Sequence, residues 1–117
     1  MANELHVADV KVGDYLRELL WTDTKLWYVV DVTPKTVKIV PTKRCDDVPT
    51  MKDERGDANI FPVVWYAVEP RADETPRVLR DGKYGLRFNK HTRAKLDTPV
   101  EWSDGEMRHF EVIDYRF

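Results

Sequence analysis

Among 117 residues there is one cysteine, one serine and five glycines that never cluster, and no apolar run approaches the roughly 18 residues of a spanning helix. Each scarcity removes a class of protein. A lone Cys45 forms no intrachain disulfide, and with neither a basic leader nor an apolar signal core after Met1 it suits a reducing cytoplasm. Ser103 stands outside any Gly-x-Ser-x-Gly frame, so the strand-to-helix elbow that exposes a nucleophilic serine is missing. The scattered glycines make no phosphate-cradling loop.

Metal and acid–base chemistry are equally thin. His6, His91 and His109 are far apart, without a second His or Cys at ligand spacing. Asp46, Asp47, Asp53, Glu54 and Asp57 share one segment but lack the alternating spacing and terminal Glu of a calcium loop. Asp46 and Asp47 follow Cys45 directly, and neighbouring carboxylates raise a thiol pKa and weaken it as a nucleophile. The expectation is a binding protein without catalytic residues, metal or cofactor.

What the chain does have is aromatic weight: four Trp, five Tyr and four Phe in a composition that is 42% hydrophobic. That excludes wholesale disorder, and the length fits one domain with its own core. It also has segregated charge. The formal total is only −2, yet Arg77, Arg80, Lys83, Arg87, Lys90, Arg93 and Lys95 form a basic block interrupted by Asp81 alone, between acidic flanks. Such a block attracts an anionic partner if it is free, and is silent if the flanks fold back on it.

The strongest local pattern is Leu26 to Thr42, two β-branched runs joined at Pro34-Lys35. Proline pre-sets the turn, so Thr33 faces Thr36, Val32 faces Val37 and Asp31 faces Lys38. Strict alternation then gathers Tyr28, Val30, Val32, Val37 and Ile39 on one face. Asp81-Gly82 signals a second, two-residue hairpin with Leu79, Tyr84, Leu86 and Phe88 inward and Arg80, Lys83 and Arg87 outward. The run Ile60 to Val68 reads as a buried strand starting after Pro62, and Met107 to Phe117 as a closing strand. Val10 to Trp21 reads as a strand after a Gly-Asp turn, although Val12, Leu16, Leu19 and Leu20 also fit a helical stripe. Asn89 to Leu96 has room for a short helix capped by Asn89.

Five or six short strands in so small a chain must close on themselves or expose edges, which predicts a mainly β fold, a small SH3-like, partly open antiparallel barrel. An antiparallel sheet with one short helix is the alternative. Residues 1–117 form one domain, with a mobile acidic loop at about 44–59 where Pro, Gly and charge leave nothing to bury.

Val12-Gly13-Asp14, Trp21-Thr22-Asp23, Val32 to Val37 read as Val-Thr-Pro-Lys-Thr-Val, and the ending Asp114-Tyr115-Arg116-Phe117 together resemble a group of small uncharacterised proteins encoded by phages of actinobacteria. The resemblance implies an accessory protein working in the cytoplasm of an infected bacterium, and no catalytic residue.

Two binding functions follow. Trp27, Trp65 and Trp102 are candidate anchors for a host protein, because aromatic residues dominate interface energetics and a small barrel has little room for all of them. The alternative is nucleic acid, held by Arg80, Lys83, Arg87, Lys90 and Arg93, with inward-facing Tyr84 and Phe88 counting against base stacking. No membrane partner is expected.

Overall fold

A computed structural model of the chain describes residues 4–19, 24–48, 50–53, 63–71 and 73–114. Among these, one 3-10 turn at Val7–Asp9 precedes twelve strands: β1 (Tyr15–Leu19), β2 (Thr24–Val32), β3 (Thr36–Arg44), β4 (Met51–Asp53), β5 (Val63–Pro70), β6 (Arg77–Arg80), β7 (Arg87–Asn89), β8 (Thr92–Arg93), β9 (Lys95–Asp97), β10 (Val100–Glu101), β11 (Met107–Arg108) and β12 (Phe110–Asp114). The fold is mainly β, as expected. Its centre is a closed antiparallel ring in which β2 pairs β3, β3 pairs β5, β5 pairs β12 and β12 returns to β2. Outside the ring, β1 and then β9 extend from β2, while β6 lies along β3 and β4 along β5.

The seam between β12 and β2 is closed by side chains more than by backbone. Only Val112 and Thr24 are in ladder register there. Thr24 Oγ1 accepts from the Val112 N–H at 3.1 Å, and Glu111 Oε2 accepts from the Leu26 N–H at 2.9 Å. Arg17 on β1 completes the closure, donating to Thr24 Oγ1 and to the Phe110 carbonyl, each at 3.1 Å. A ladder that would have left buried N–H groups orphaned is thereby satisfied.

Two apolar clusters result. The larger gathers Leu16, Trp27, Val29, Val37, Ile39, Leu79, Leu86 and Phe88 beneath β1–β3 and β6–β7, with Val7 and Val10 of the N-terminal segment. The smaller joins Cys45, Val48, Ala67 and Trp102, flanked by Trp65 and Phe110.

The hairpin tip is in the expected register, Asp31 opposite Lys38 and Val32 opposite Val37. Below it a bulge between Val29 and Asp31 inserts one residue into β2, and the alternation reverses. Val29, opposite Ile39, therefore joins the core with Trp27, whereas Tyr28 does not. The start is a strand, β1, after a turn at Gly13 with φ 98°.

Two expectations need correction. Asp81-Gly82 is not a two-residue hairpin: β6 pairs with β3, the chain turns between Gly82 and Gly85, and the left-handed residue is Gly85. The Asp81 carboxylate instead accepts from His6 Nδ1 at 2.9 Å and from the Val7 N–H at 3.1 Å, pinning the N-terminal segment across the core. Asn89 to Leu96 is not helical, because β7 pairs with β8 and the Asn89 side chain accepts from the His91 N–H within the turn. The segment 44–59 is anchored at its start: Cys45 and Val48 are buried, Cys45 N–H donates to the Ala67 carbonyl, and β4 pairs with β5. Position 49 and the remainder, 54–59, lie outside the described residues, as do 21–23 and 115–117 of the motifs quoted above.

Candidate functional site

The turn between β6 and β7 decides where the basic block points. Leu79 on β6 and Leu86 and Phe88 after the turn are buried, as alternation predicts. Tyr84 is not. Bracketed by Gly82 and Gly85 it belongs to the turn rather than to a strand, and it is 53% exposed. Lys83 Nζ lies 5.5 Å from its ring centroid and the Arg87 guanidinium 5.2 Å, so the one large exposed ring of this surface is flanked by two cations. Arg87 is held in place by a bond from Nη1 to the Lys90 carbonyl at 3.1 Å, and it stands directly across the β7–β8 pair from Arg93. Arg80 is exposed at the end of edge strand β6, opposite Thr36. Arg77 is different: it stacks over Trp27 and Phe88 and donates to the Phe88 carbonyl, a packing role at the mouth of the core.

Among the described residues, the acidic flanks do not pair with this surface. Asp97 takes Arg17 and His109, with Arg17 Nε at 2.6 Å and His109 Nδ1 at 2.7 Å. Asp104 pairs with Arg108, Glu74 with Arg71 and Glu69 with Lys43. Glu111 is buried at the barrel seam, and Asp81 is spent on the N-terminal segment. Among the described residues, none of the seven cations between Arg77 and Lys95 forms a salt bridge.

The tryptophans expected as partner anchors sit elsewhere. Trp102 is 2% exposed, packed in the smaller cluster, and Trp27 is 9% exposed, its Nε1–H donating to the buried Glu18 carboxylate at 3.0 Å and its face covered by Lys25. Neither offers a free ring to a partner. Trp65 is half-buried beside the smaller cluster.

A second polar cluster went unseen in the sequence. Asp97, on β9, is 6% exposed at its side chain between Arg17 and His109, and the His109 ring stacks on Tyr15 with centroids 4.0 Å apart. Burial alone would raise the Asp97 pKa, but the hydrogen bonds from His109 and Arg17 outweigh it and hold the carboxyl below its ordinary value. Burial, with Tyr28 next, pushes the Tyr15 hydroxyl up to about 12. Burial and then Glu69 and Asp47 raise the Cys45 thiol, which leaves it protonated and a poor nucleophile. This cluster ties β1, β9 and β12 together. Among the described residues no His, Cys, Asp and Glu side chains group in a way that would hold a metal ion, and no helix is long and apolar enough to cross a membrane.

Comparison with protein-family models, with curated proteins and with solved structures gave no match to this chain.

Proposed function

We propose that this protein is a nucleic-acid-binding module whose contact surface is Arg80, Lys83, Tyr84, Arg87, Lys90 and Arg93. The observation that carries the reading is the exposed Tyr84 ring with Lys83 and Arg87 beside it, on a surface where, among the described residues, no carboxylate pairs with the cations. Unpaired cations release counterions on meeting phosphates, and an exposed aromatic face adds a contact that ordinary salt-bridged surfaces lack. The inward Tyr84 that spoke against this function in the sequence is replaced by an outward one. With the resemblance to phage-encoded proteins, the setting is the cytoplasm of an infected bacterium, and the role that of a non-enzymatic accessory protein.

The test is fluorescence anisotropy of a labelled oligonucleotide against the protein across a salt series. Wild type should bind with an affinity that falls linearly in log salt, and R80E/K83E/R87E should lose binding while melting no lower than wild type. Wild-type affinity in the triple variant, or no binding to any polyanion at low salt, overturns the proposal. A host protein is the second reading, now favoured by exposed Met107 and Val100 on β10–β11 rather than by Trp27 or Trp102. Capture from host lysate of one dominant partner that survives nuclease would decide for it.

A further inference from the structure

Resting on that reading, we infer that the site takes single-stranded rather than duplex nucleic acid, with an unpaired base stacked on Tyr84 and a neighbouring phosphate held by Arg87 and Arg93. Arg87 and Arg93 are direct cross-strand partners in a two-strand hairpin, the arrangement in which like charges oppose folding. No carboxylate relieves them among the described residues, and Asp81, the single acid of the block, is bound to His6 and the Val7 N–H. Arg87 Nε is buried without a hydrogen-bond partner while Nη1 donates to the Lys90 carbonyl at 3.1 Å, so the half-buried guanidinium is held in place with its hydrogen-bonding capacity only partly met by the protein. Local rules of stability are broken in this way where a ligand supplies the missing partner. An anion between the two arginines supplies it.

Phosphate alone would leave Tyr84 without a purpose. Tyr84 is 53% exposed, with the Arg87 guanidinium and the Lys83 ammonium over its ring, so a base stacking there takes the place of the Lys83 ammonium while Arg87 stays bonded to the Lys90 carbonyl. A flat apolar face beside a phosphate grip is complementary to a base that is not already stacked and paired, as in a single strand, and is poorly used by a duplex, whose base faces are enclosed.

The experiment uses the whole chain and three labelled probes of equal charge: an oligothymidine, a duplex, and an abasic strand of sugar and phosphate only. Wild type should bind the oligothymidine roughly tenfold more tightly than the abasic strand, with Tyr84→Ala erasing that ratio and Tyr84→Phe keeping it. Arg93→Gln should weaken all three probes and lower the salt slope for the single strand by about 0.7, yet leave the free protein's melting temperature unchanged or higher. Equal affinity for thymidine and abasic strands, or an unchanged ratio in Tyr84→Ala, overturns the stacking inference while leaving the nucleic-acid reading intact. Weakening of Arg93→Gln through loss of fold, seen as a lower melting temperature, overturns the phosphate grip. Failure of every probe to bind sinks the underlying reading instead.

Discussion

At the scale of single residues, positions that look like ordinary turn chemistry carry long-range constraints. Gly85 has φ 82°, and a Cβ built there would stand 2.7 Å from the Leu5 carbonyl oxygen and 2.9 Å from Glu4 Cβ. The N-terminal segment crosses directly over it, with the Leu86 N–H donating to that same Leu5 carbonyl. Gly85→Ala meets both a left-handed backbone penalty and a backbone clash, and should destabilise by about 2 kcal/mol or more in urea unfolding. Asp97 gives a second prediction with a sign. Its pKa is held below the ordinary 3.8, so its contribution to stability is present above that value and is lost as pH falls through the lower folded pKa. Asp97→Asn leaves Arg17 facing no anion. It should cost about 3 kcal/mol at pH 7, with the gap to wild type closing below about pH 4 in a pH series of melting temperatures. A gap independent of pH would show that the carboxylate's charge is irrelevant. Nothing in the sequence joined Asp97 to Arg17, because they are 80 residues apart and each is an ordinary charged residue in its own segment.

At the scale of elements, legibility depended on how local the determinant was. The β2–β3 turn was readable because its determinants are adjacent: the Thr33 hydroxyl accepts from the Thr36 N–H at 3.0 Å and lies 2.6 Å from the Thr36 hydroxyl, with Pro34 between. Thr33→Ala should lower stability by about 1 kcal/mol, on the order of 4 °C in melting temperature, with no change in oligonucleotide binding. The bulge a few residues away was not readable. In Trp27-Tyr28-Val29-Val30 every residue suits a strand in either alternation, so which of Tyr28 and Val29 enters the core is settled by β1 and β3, not by β2 itself. The β6–β7 turn failed for a related reason. Asp81-Gly82 matched a two-residue hairpin, but Gly85 stood three positions on, and two glycines bracketing Lys83-Tyr84 were the available sign of a wider turn with Tyr84 at its tip. The cations of the candidate site were legible, but its ring was not, because a two-residue hairpin turns Tyr84 inward.

At the scale of the whole molecule, charge and closure are linked. The basic block was visible in the sequence as a run. Whether it was free was not, because that depends on where the carboxylates of 96–117 end up, and three of them, Asp97, Asp104 and Glu111, are drawn to Arg17, Arg108 and the barrel seam by the path of β9 to β12. Glu111 is the extreme case, a carboxylate placed inside the closing seam with the Leu26 N–H and the Tyr66 hydroxyl directed at it. Burial raises its pKa, and the hydrogen bonds offset only part of that rise. A raised carboxyl pKa means that the folded state binds the proton more tightly than the unfolded chain. Its stabilising effect is therefore full below the unfolded value and is lost as pH rises through the folded one. Glu111→Gln keeps an oxygen for the Leu26 N–H and removes the buried charge. Compared with wild type, it should be close in stability near pH 4 and relatively more stable near pH 7, read as melting temperature across that range. Asp97→Asn should show its deficit at the neutral end of the same series. If Glu111→Gln instead loses stability as pH rises relative to wild type, then the ionised carboxylate is the form that closes the seam, and closure rests on charge rather than on its hydrogen bonds.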